Sequence, residues 1–422
     1  MNKELLKTIL IENQKEVLGY KVLERNIEVT DEFNYAFVGI RRAGKSYLMY
    51  QQIQKLYKKG IGWDEMLYLN FEDERLLGFG PEDFNLILET HLEMYGKKPI
   101  LFLDEIQNVE YWHKFARRLA DQKYRVYITG SNAKMLSSEI MTTLGGRYIM
   151  VNVFPYSFAE YANIHRVKYD PDTLCTTAGR AAVQKLFNEY FRTGGFPEIA
   201  TAKSKNNYLI SLYQKIYLGD IAARNGITNT LGLKVMLKKL AEGVRQPVSY
   251  NRIASIVSSV GSKLSTSSAI KYIDHTLDSW MLLKVTNFAA KVSERESIAK
   301  YYFIDNGLLN LLIFDSNPAL LENLAALVLL RKYGIEDIVF FYNRNIEVDF
   351  VLPMEGTAIQ VSYSIMDPDT REREVRALVA IKSIMEIRRA IILTYSEEET
   401  IQADGLEIEV IPMWKFVLEM EG

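Results

Sequence analysis

Apolar residues Leu5, Leu6, Ile9, Leu10 and Val17 recur among Lys and Glu over residues 3–18, the spacing of one helical face. The short apolar run Tyr35-Ala-Phe-Val predicts a strand that breaks at Gly39. Leu48, Met49, Ile53 and Leu56 then form a stripe between polar Gln51, Gln52 and Lys55, which predicts a helix. Met66 to Phe71 reads as a second strand, residues 82–95 as a helix, and Pro99 to Asp104 as a buried strand. A helix over Trp112 to Ala120, a strand from Arg125 to Gly130 and a further strand from Tyr148 to Val153 complete the stretch. Strands alternating with helices predict a three-layer α/β domain over residues 1–160.

The pattern then changes. Residues 161–233 are mainly helical, with turns at Asp170-Pro171-Asp172 and Gly194-Gly195, and are expected to be a helical lid or linker. Gly194-Gly195-Phe196-Pro197 reads as a helix end followed by a tight turn. Over 234–304 the pattern suggests a winged helix: a helix from Arg252 to Val257, a turn at Gly261, and a second helix with Ile270, Ile273 and Leu277 inward. Strands Met281 to Val285 and Tyr301 to Ile304 would flank the wing. Residues 305–422 carry an apolar helix, Leu320 to Leu330, then strands Ile338 to Tyr342, Ile346 to Val351, Ala358 to Tyr363 and Ala390 to Tyr395.

A length of 422 residues supports roughly three domains at about 150 residues each. Net charge is -2, so any nucleic-acid contact must come from a local patch. One such patch is visible: between Lys234 and Val285 there are eight Lys or Arg against three Asp or Glu. Ser267, Lys271 and His275 would share the exposed face of the second helix there, without arginines to read bases. The single cysteine, Cys175, excludes an internal disulfide and fits a reducing, cytoplasmic compartment. Four scattered histidines, His91, His113, His165 and His275, lack ligand spacing. No run of about 18 apolar residues occurs, so no membrane association is expected.

The chemistry sits where the first strand breaks. Gly39-Ile40-Arg41-Arg42-Ala43-Gly44-Lys45-Ser46 has the spacing of a P-loop. Such a loop wraps backbone N–H groups around phosphate oxygens, the lysine reaches the β- and γ-phosphates, and the serine hydroxyl ligates Mg²⁺. A helix must start there, adding the partial positive charge of its N-terminus. The strand ending in Asp104-Glu105 supplies the other half, with Asp104 expected to help hold Mg²⁺ and Glu105 to activate water. ATP and Mg²⁺ are the expected ligands. In ATPases with an extra strand between these two, a polar residue at its end touches the γ-phosphate or the water. Asn132 is the first candidate for that role and Ser131 the second, with a helix cap as the structural alternative. Arg147, in a glycine turn before the last strand, is a candidate for γ-phosphate contact within the chain or from a neighbouring subunit.

Gly39 to Ser46, Leu103-Asp104-Glu105-Ile106-Gln107, Ile128-Thr129-Gly130-Ser131, Gly146-Arg147 with Phe154-Pro155-Tyr156-Ser157-Phe158, and Gly194-Gly195-Phe196-Pro197-Glu198 together resemble a known group. These are bacterial and archaeal AAA-superfamily ATPases whose C-terminal half is a nuclease-like domain of unknown function. The resemblance covers nearly the whole chain and implies a restriction-endonuclease-like core over 305–422. Active members of that fold hold Mg²⁺ with a strand-end Asp and a Glu-x-Lys on the next strand. Asp349 matches the first element, whereas Gln360-Val361-Ser362 stands in place of the second. A neutral amide is a poorer Mg²⁺ ligand than a carboxylate, and Ser362 cannot replace an ammonium. Glu322, Glu347 and Asp349 remain able to attract a cation, but a catalytically inactive scaffold is the expectation.

The sequence thus predicts an ATP-binding switch or motor with Mg²⁺-dependent hydrolysis. DNA at the winged helix and a protein at the C-terminal domain are the partners considered, and assembly into an oligomer stays open. Two alternatives stand beside it: an ATP-dependent nuclease, and an interaction module that binds ATP without hydrolysing it.

Overall fold

The computed structural model describes residues 1–131, 142–314, 317–335 and 337–421. Contact density divides the chain into two compact units, Met1–Val153 and Phe154–Gly422.

The first unit opens with the helix Lys3–Gly19, capped by Asn2, whose side chain accepts from Glu4 N at 2.9 Å. Its buried residues are Leu6, Ile9, Leu10 and Val17, whereas Leu5, placed on the same face by the sequence pattern, is exposed. Five parallel strands follow: β1 (Asn34–Val38), β2 (Met66–Asn70), β3 (Ile100–Asp104), β4 (Val126–Gly130) and β5 (Tyr148–Asn152). Their order in the sheet is β2-β3-β4-β1-β5. The late strand β4 therefore lies between β1, which feeds the glycine turn, and β3, which ends in Asp104. Helices Lys45–Lys58, Phe84–Tyr95 and Trp112–Asp121 connect the strands. The interior is aromatic: Tyr127 stacks on Phe102 with centroids 4.7 Å apart and on Tyr35 at 5.9 Å.

All five strands point the same way, so their carboxyl ends form one edge, where open α/β sheets place their sites. Gly39 is confined there by a close approach, because a Cβ would lie 2.2 Å from the carbonyl oxygen of Val153. Val153 N in turn donates to Val38 O at 2.7 Å. The P-loop entrance thus abuts the chain leaving β5.

The second unit begins with helices Phe158–Ile164, Pro171–Cys175, Thr177–Thr193, Pro197–Thr201 and Lys205–Gln214, the last continuing as a π-helix over Lys215–Ala223. Helices Thr230–Glu242, Tyr250–Ser259 and Thr266–Asp278 follow, with strands β6 (Val248–Ser249), β7 (Leu282–Asn287) and β8 (Ile298–Phe303). Both β6 and β7 pair antiparallel with β8. The remaining strands are β9 (Phe340–Asn343), β10 (Glu347–Leu352), β11 (Thr357–Val361), β12 (Arg389–Thr394), β13 (Glu399–Ala403) and β14 (Leu406–Pro412). Together they form a nine-stranded sheet, ordered β13-β14-β12-β11-β10-β9-β7-β8-β6. Residues 234–304 and 305–422, separate in the sequence pattern, are joined in this sheet by β7 and β9, with Thr286 opposite Phe340. The helix Asn317–Tyr333 is buried continuously from Ala319 to Leu330, as its mainly apolar run requires, with Glu322 and Asn323 buried among the apolar residues.

The glycine pair before Phe196 has a packing explanation. Gly194 has φ 74°, and a Cβ there would lie 1.9 Å from Asp305 Oδ1. The Asp305 carboxylate accepts from Gly195 N at 2.7 Å and Gly307 N at 2.8 Å, while Gly195 O accepts from Tyr156 N at 2.7 Å. Among the described residues, no helix is long and apolar enough to cross a membrane.

Candidate functional site

At the carboxyl edge of the first sheet, Gly44 in the left-handed conformation starts the helix Lys45–Lys58. Lys45 is buried, and its ammonium donates to the carbonyls of Gly39 and Ile40 at 3.2 Å each. Glu105 Oε1 lies 3.6 Å from the same nitrogen. Ile40 and Ala43 are fully buried, which anchors the loop, and Arg41 reaches Glu72 at 3.2 Å. Arg42 takes a positive φ of 66°, as a tight anion-cradling turn demands.

Asp104 ends β3 with 1% exposure. Its Oδ2 accepts from Tyr68 Oη at 2.9 Å, and its other oxygen accepts from Thr129 Oγ1. Ser46 beside it also favours its ionised form. Burial, then the neighbouring Glu105 charge, pushes the Asp104 carboxyl above its ordinary range despite these donors. A divalent cation would supply the missing counter-charge.

Glu105 lies just past the strand in the left-handed region, at φ 51° and ψ 40°. A non-glycine residue held there stores strain of the kind found at functional sites. Its backbone N–H donates to Thr129 Oγ1 at 2.8 Å, and its carboxylate accepts from Gln107. Burial would raise its pKa, but Lys45, then Gln107, Ser131 and Arg41, hold it below the usual glutamate value. The two neighbouring acids are therefore shifted in opposite directions.

Sequence reasoning missed three residues of this site. Thr129 bridges the two acids from β4, and its visible signal was a polar side chain inside an otherwise apolar strand. Replacing Thr129 by Val keeps the volume but leaves Asp104 short of a donor and the Glu105 N–H short of an acceptor. The expected cost is about 2 kcal/mol, read as a lower urea midpoint with unchanged slope. A shift below about 0.5 kcal/mol would show that the hydroxyl does not carry this bridge. Tyr68 gave no signal. Arg25, in the extended segment after the first helix, is 6% exposed and donates to Ala43 O at 3.0 Å, while Gln51 clasps its backbone at 3.0 and 3.1 Å.

Of the remaining expected site residues, Ser131 is buried beside Glu105, its Oγ lacking a hydrogen-bond partner of ordinary geometry among the described residues. Asn132 lies outside the described residues. Arg147 is not brought to the P-loop of its own chain. It precedes β5, whose first residue Tyr148 pairs with Asn34 at the amino end of β1. Strand length places it roughly 15 Å from the carboxyl edge. There Nε donates to Asp121 Oδ1 at 2.6 Å. Contact within the chain is thereby corrected: the sheet direction opposes it. Arg147→Ala is expected to change the ATP turnover of an isolated chain by less than about tenfold, whereas a loss near 10³-fold in an assembled state would place it on a neighbour's nucleotide.

The second unit gathers another set. Glu322, Glu347 and Asp349, expected to attract a cation, converge on Lys300, which sequence reasoning did not single out. Gln360 bonds the β10 backbone, with Oε1 accepting from Asp349 N at 2.9 Å and Nε2 donating to Glu347 O at 3.1 Å. Ser362 Oγ donates to Ser364 O at 3.0 Å.

A glycine-turn P-loop on a five-stranded parallel sheet, facing two strand-end acids across an intervening strand, defines a P-loop domain of the AAA type. The AAA domain family model accordingly matches residues 32–162, and a domain of unknown function (DUF8612) matches 184–319. The chain belongs to one family with the uncharacterized protein MJ1544 of Methanocaldococcus jannaschii, to which it is 34% identical over 99% of this chain and 96% of that one. An uncharacterized protein of Haemophilus influenzae is 30% identical, covering 93% and 96% respectively. Among solved structures, the Aeropyrum pernix ORC1 protein in complex with DNA is 14% identical, covering 76% of this chain and 92% of that one, with a TM-score of 0.28. The Thermotoga maritima RuvB Holliday junction branch migration motor is 15% identical, covering 71% and 90%, with a TM-score of 0.30.

Proposed function

We propose that the first unit binds ATP with Mg²⁺ and hydrolyses it, acting as a nucleotide-driven switch or motor. The observation that supports this most is the convergence of Lys45, Ser46, Asp104 and Glu105, with Thr129 bridging the acids, at one sheet edge. The donor set suits a magnesium nucleotide, because the turn offers an ammonium while a hydroxyl and a carboxylate offer the oxygen ligands Mg²⁺ prefers. Ser46 and Asp104 would hold the ion. When bound, Mg²⁺ would supply charge neutralisation at the phosphates. Lys45 leaves the Gly39 and Ile40 carbonyls to meet phosphate oxygens, and Glu105, kept ionised, accepts the proton of the attacking water. Thr129 holds the Asp104 carboxylate and the Glu105 backbone in register, so the two roles stay on separate groups.

The second unit carries the output of this cycle. We read the helices and antiparallel strands of residues 234–304 as a winged helix and the rest of its sheet as a nuclease-like scaffold without cleavage activity. DNA is the partner suggested by the local excess of Lys and Arg. ATP turnover measured with and without duplex and single-stranded DNA tests both proposals. Stimulation by DNA supports the linked reading; turnover indifferent to every DNA supports a protein partner; absent turnover with measurable ATP affinity supports a non-hydrolysing module.

A further inference from the structure

The carboxylates gathered in the second unit surround a side chain of the protein itself. Lys300 on β8 has 0% exposure, and its ammonium lies 3.1 Å from Glu322 Oε1, 3.2 Å from Asp349 Oδ1 and 3.8 Å from Glu347 Oε1. Glu322 comes from the central helix Asn317–Tyr333, and Glu347 and Asp349 from β10. A fully buried lysine is rare, because an uncompensated ammonium in a low dielectric is very costly. Three acids from two elements meeting at one point would, with an empty centre, repel one another and draw in a hard cation. Here the centre is filled.

We infer that Lys300 is the resident cation of this carboxylate cluster, taking the place of a divalent metal and closing the centre to metal-dependent phosphodiester cleavage. The oxygens of Glu322 and Asp349 have further donors. Glu322 Oε1 also accepts from Tyr302 Oη at 2.9 Å, and its Oε2 accepts from Arg245 Nε at 3.1 Å. Asp349 Oδ2 accepts from Val361 N at 2.9 Å. Gln360, which stands where a further carboxylate was sought, spends its amide on the β10 backbone. A metal ion would have to displace the ammonium or sit against its charge. Burial alone would lower the Lys300 pKa, but Glu322, Asp349 and Glu347 more than reverse this, so the side chain stays protonated at neutral pH. The same contacts tie β8 to the central helix and to β10, so the cluster also pins residues 234–304 and 305–422 together.

The test is Mn²⁺ binding by the nucleotide-free full chain, followed by loss of the free-ion electron paramagnetic resonance signal. Wild type is expected to show no binding that depends on Asp349 at millimolar Mn²⁺. Lys300→Ala should gain a Mn²⁺ site, and Lys300→Ala with Asp349→Asn should lose it. Binding by wild type that vanishes in Asp349→Asn overturns the inference, as does a folded Lys300→Ala that takes up no ion. If Lys300→Ala does not fold without metal, the wild-type titration decides alone, and folding restored by Mn²⁺ counts in favour. None of these outcomes depends on the ATP site, which can be assayed separately.

Discussion

Lys45→Ala is expected to reduce ATP affinity by at least about a hundredfold and to abolish turnover. The ammonium is a buried point charge aimed at the P-loop, where it already meets two carbonyls and the Glu105 carboxylate. A charge-assisted contact to phosphate, lost in a water-poor site, costs about 3 kcal/mol, equivalent to roughly two decades in affinity. A second effect adds to the first. Lys45 is the main group holding the Glu105 pKa down, so its removal lets burial raise that carboxyl towards protonation. The variant thus loses both its phosphate contact and its ionised base. Titration calorimetry with ATP, on protein shown to be folded by its thermal transition, checks this. Affinity within tenfold of wild type would remove the P-loop assignment.

Glu105→Gln separates binding from chemistry. Its side chain is isosteric and neutral, so the phosphate cradle keeps Lys45, Ser46 and Asp104 while losing the proton acceptor. ATP affinity should remain near wild type, and single-turnover hydrolysis should fall by roughly 10²- to 10⁴-fold, the usual contribution of a positioned base. Measuring both quantities on one preparation distinguishes this outcome from general damage, which would weaken binding too. Wild-type hydrolysis in this variant would move the base elsewhere and leave Glu105 as a structural partner of Lys45, 3.6 Å away.

Much of this site was legible because its parts are contiguous. Gly39 to Ser46 is one loop, and Asp104-Glu105 ends one strand, so local residue types were enough to name them. Thr129 was harder to see, since its role comes from β4 being placed between β1 and β3, a non-local fact. Arg147 shows the opposite case. A glycine turn before a strand looked suited to phosphate contact, but the direction of β5 carries it to the far edge and onto Asp121. In the second unit, the apolar run around Leu320 to Leu330 revealed a buried helix, whereas β13, β14 and the helix Met413–Glu421 passed unnoticed. The strand Glu399–Ala403 alternates half-buried and exposed residues and is rich in polar side chains, so it offers little periodic contrast.

By itself, then, the sequence determined the phosphate loop, the acids opposite it and the alternation of strands and helices in the first unit. Each depends on neighbouring residues and on local periodicity. Only the tertiary structure decided that Thr129 on the intervening strand bridges the two acids, where Arg147 lies, and that Lys300 occupies the centre of Glu322, Glu347 and Asp349. Those facts depend on the pairing of segments far apart in the chain, and a buried charge acquires its partners only when that pairing is made.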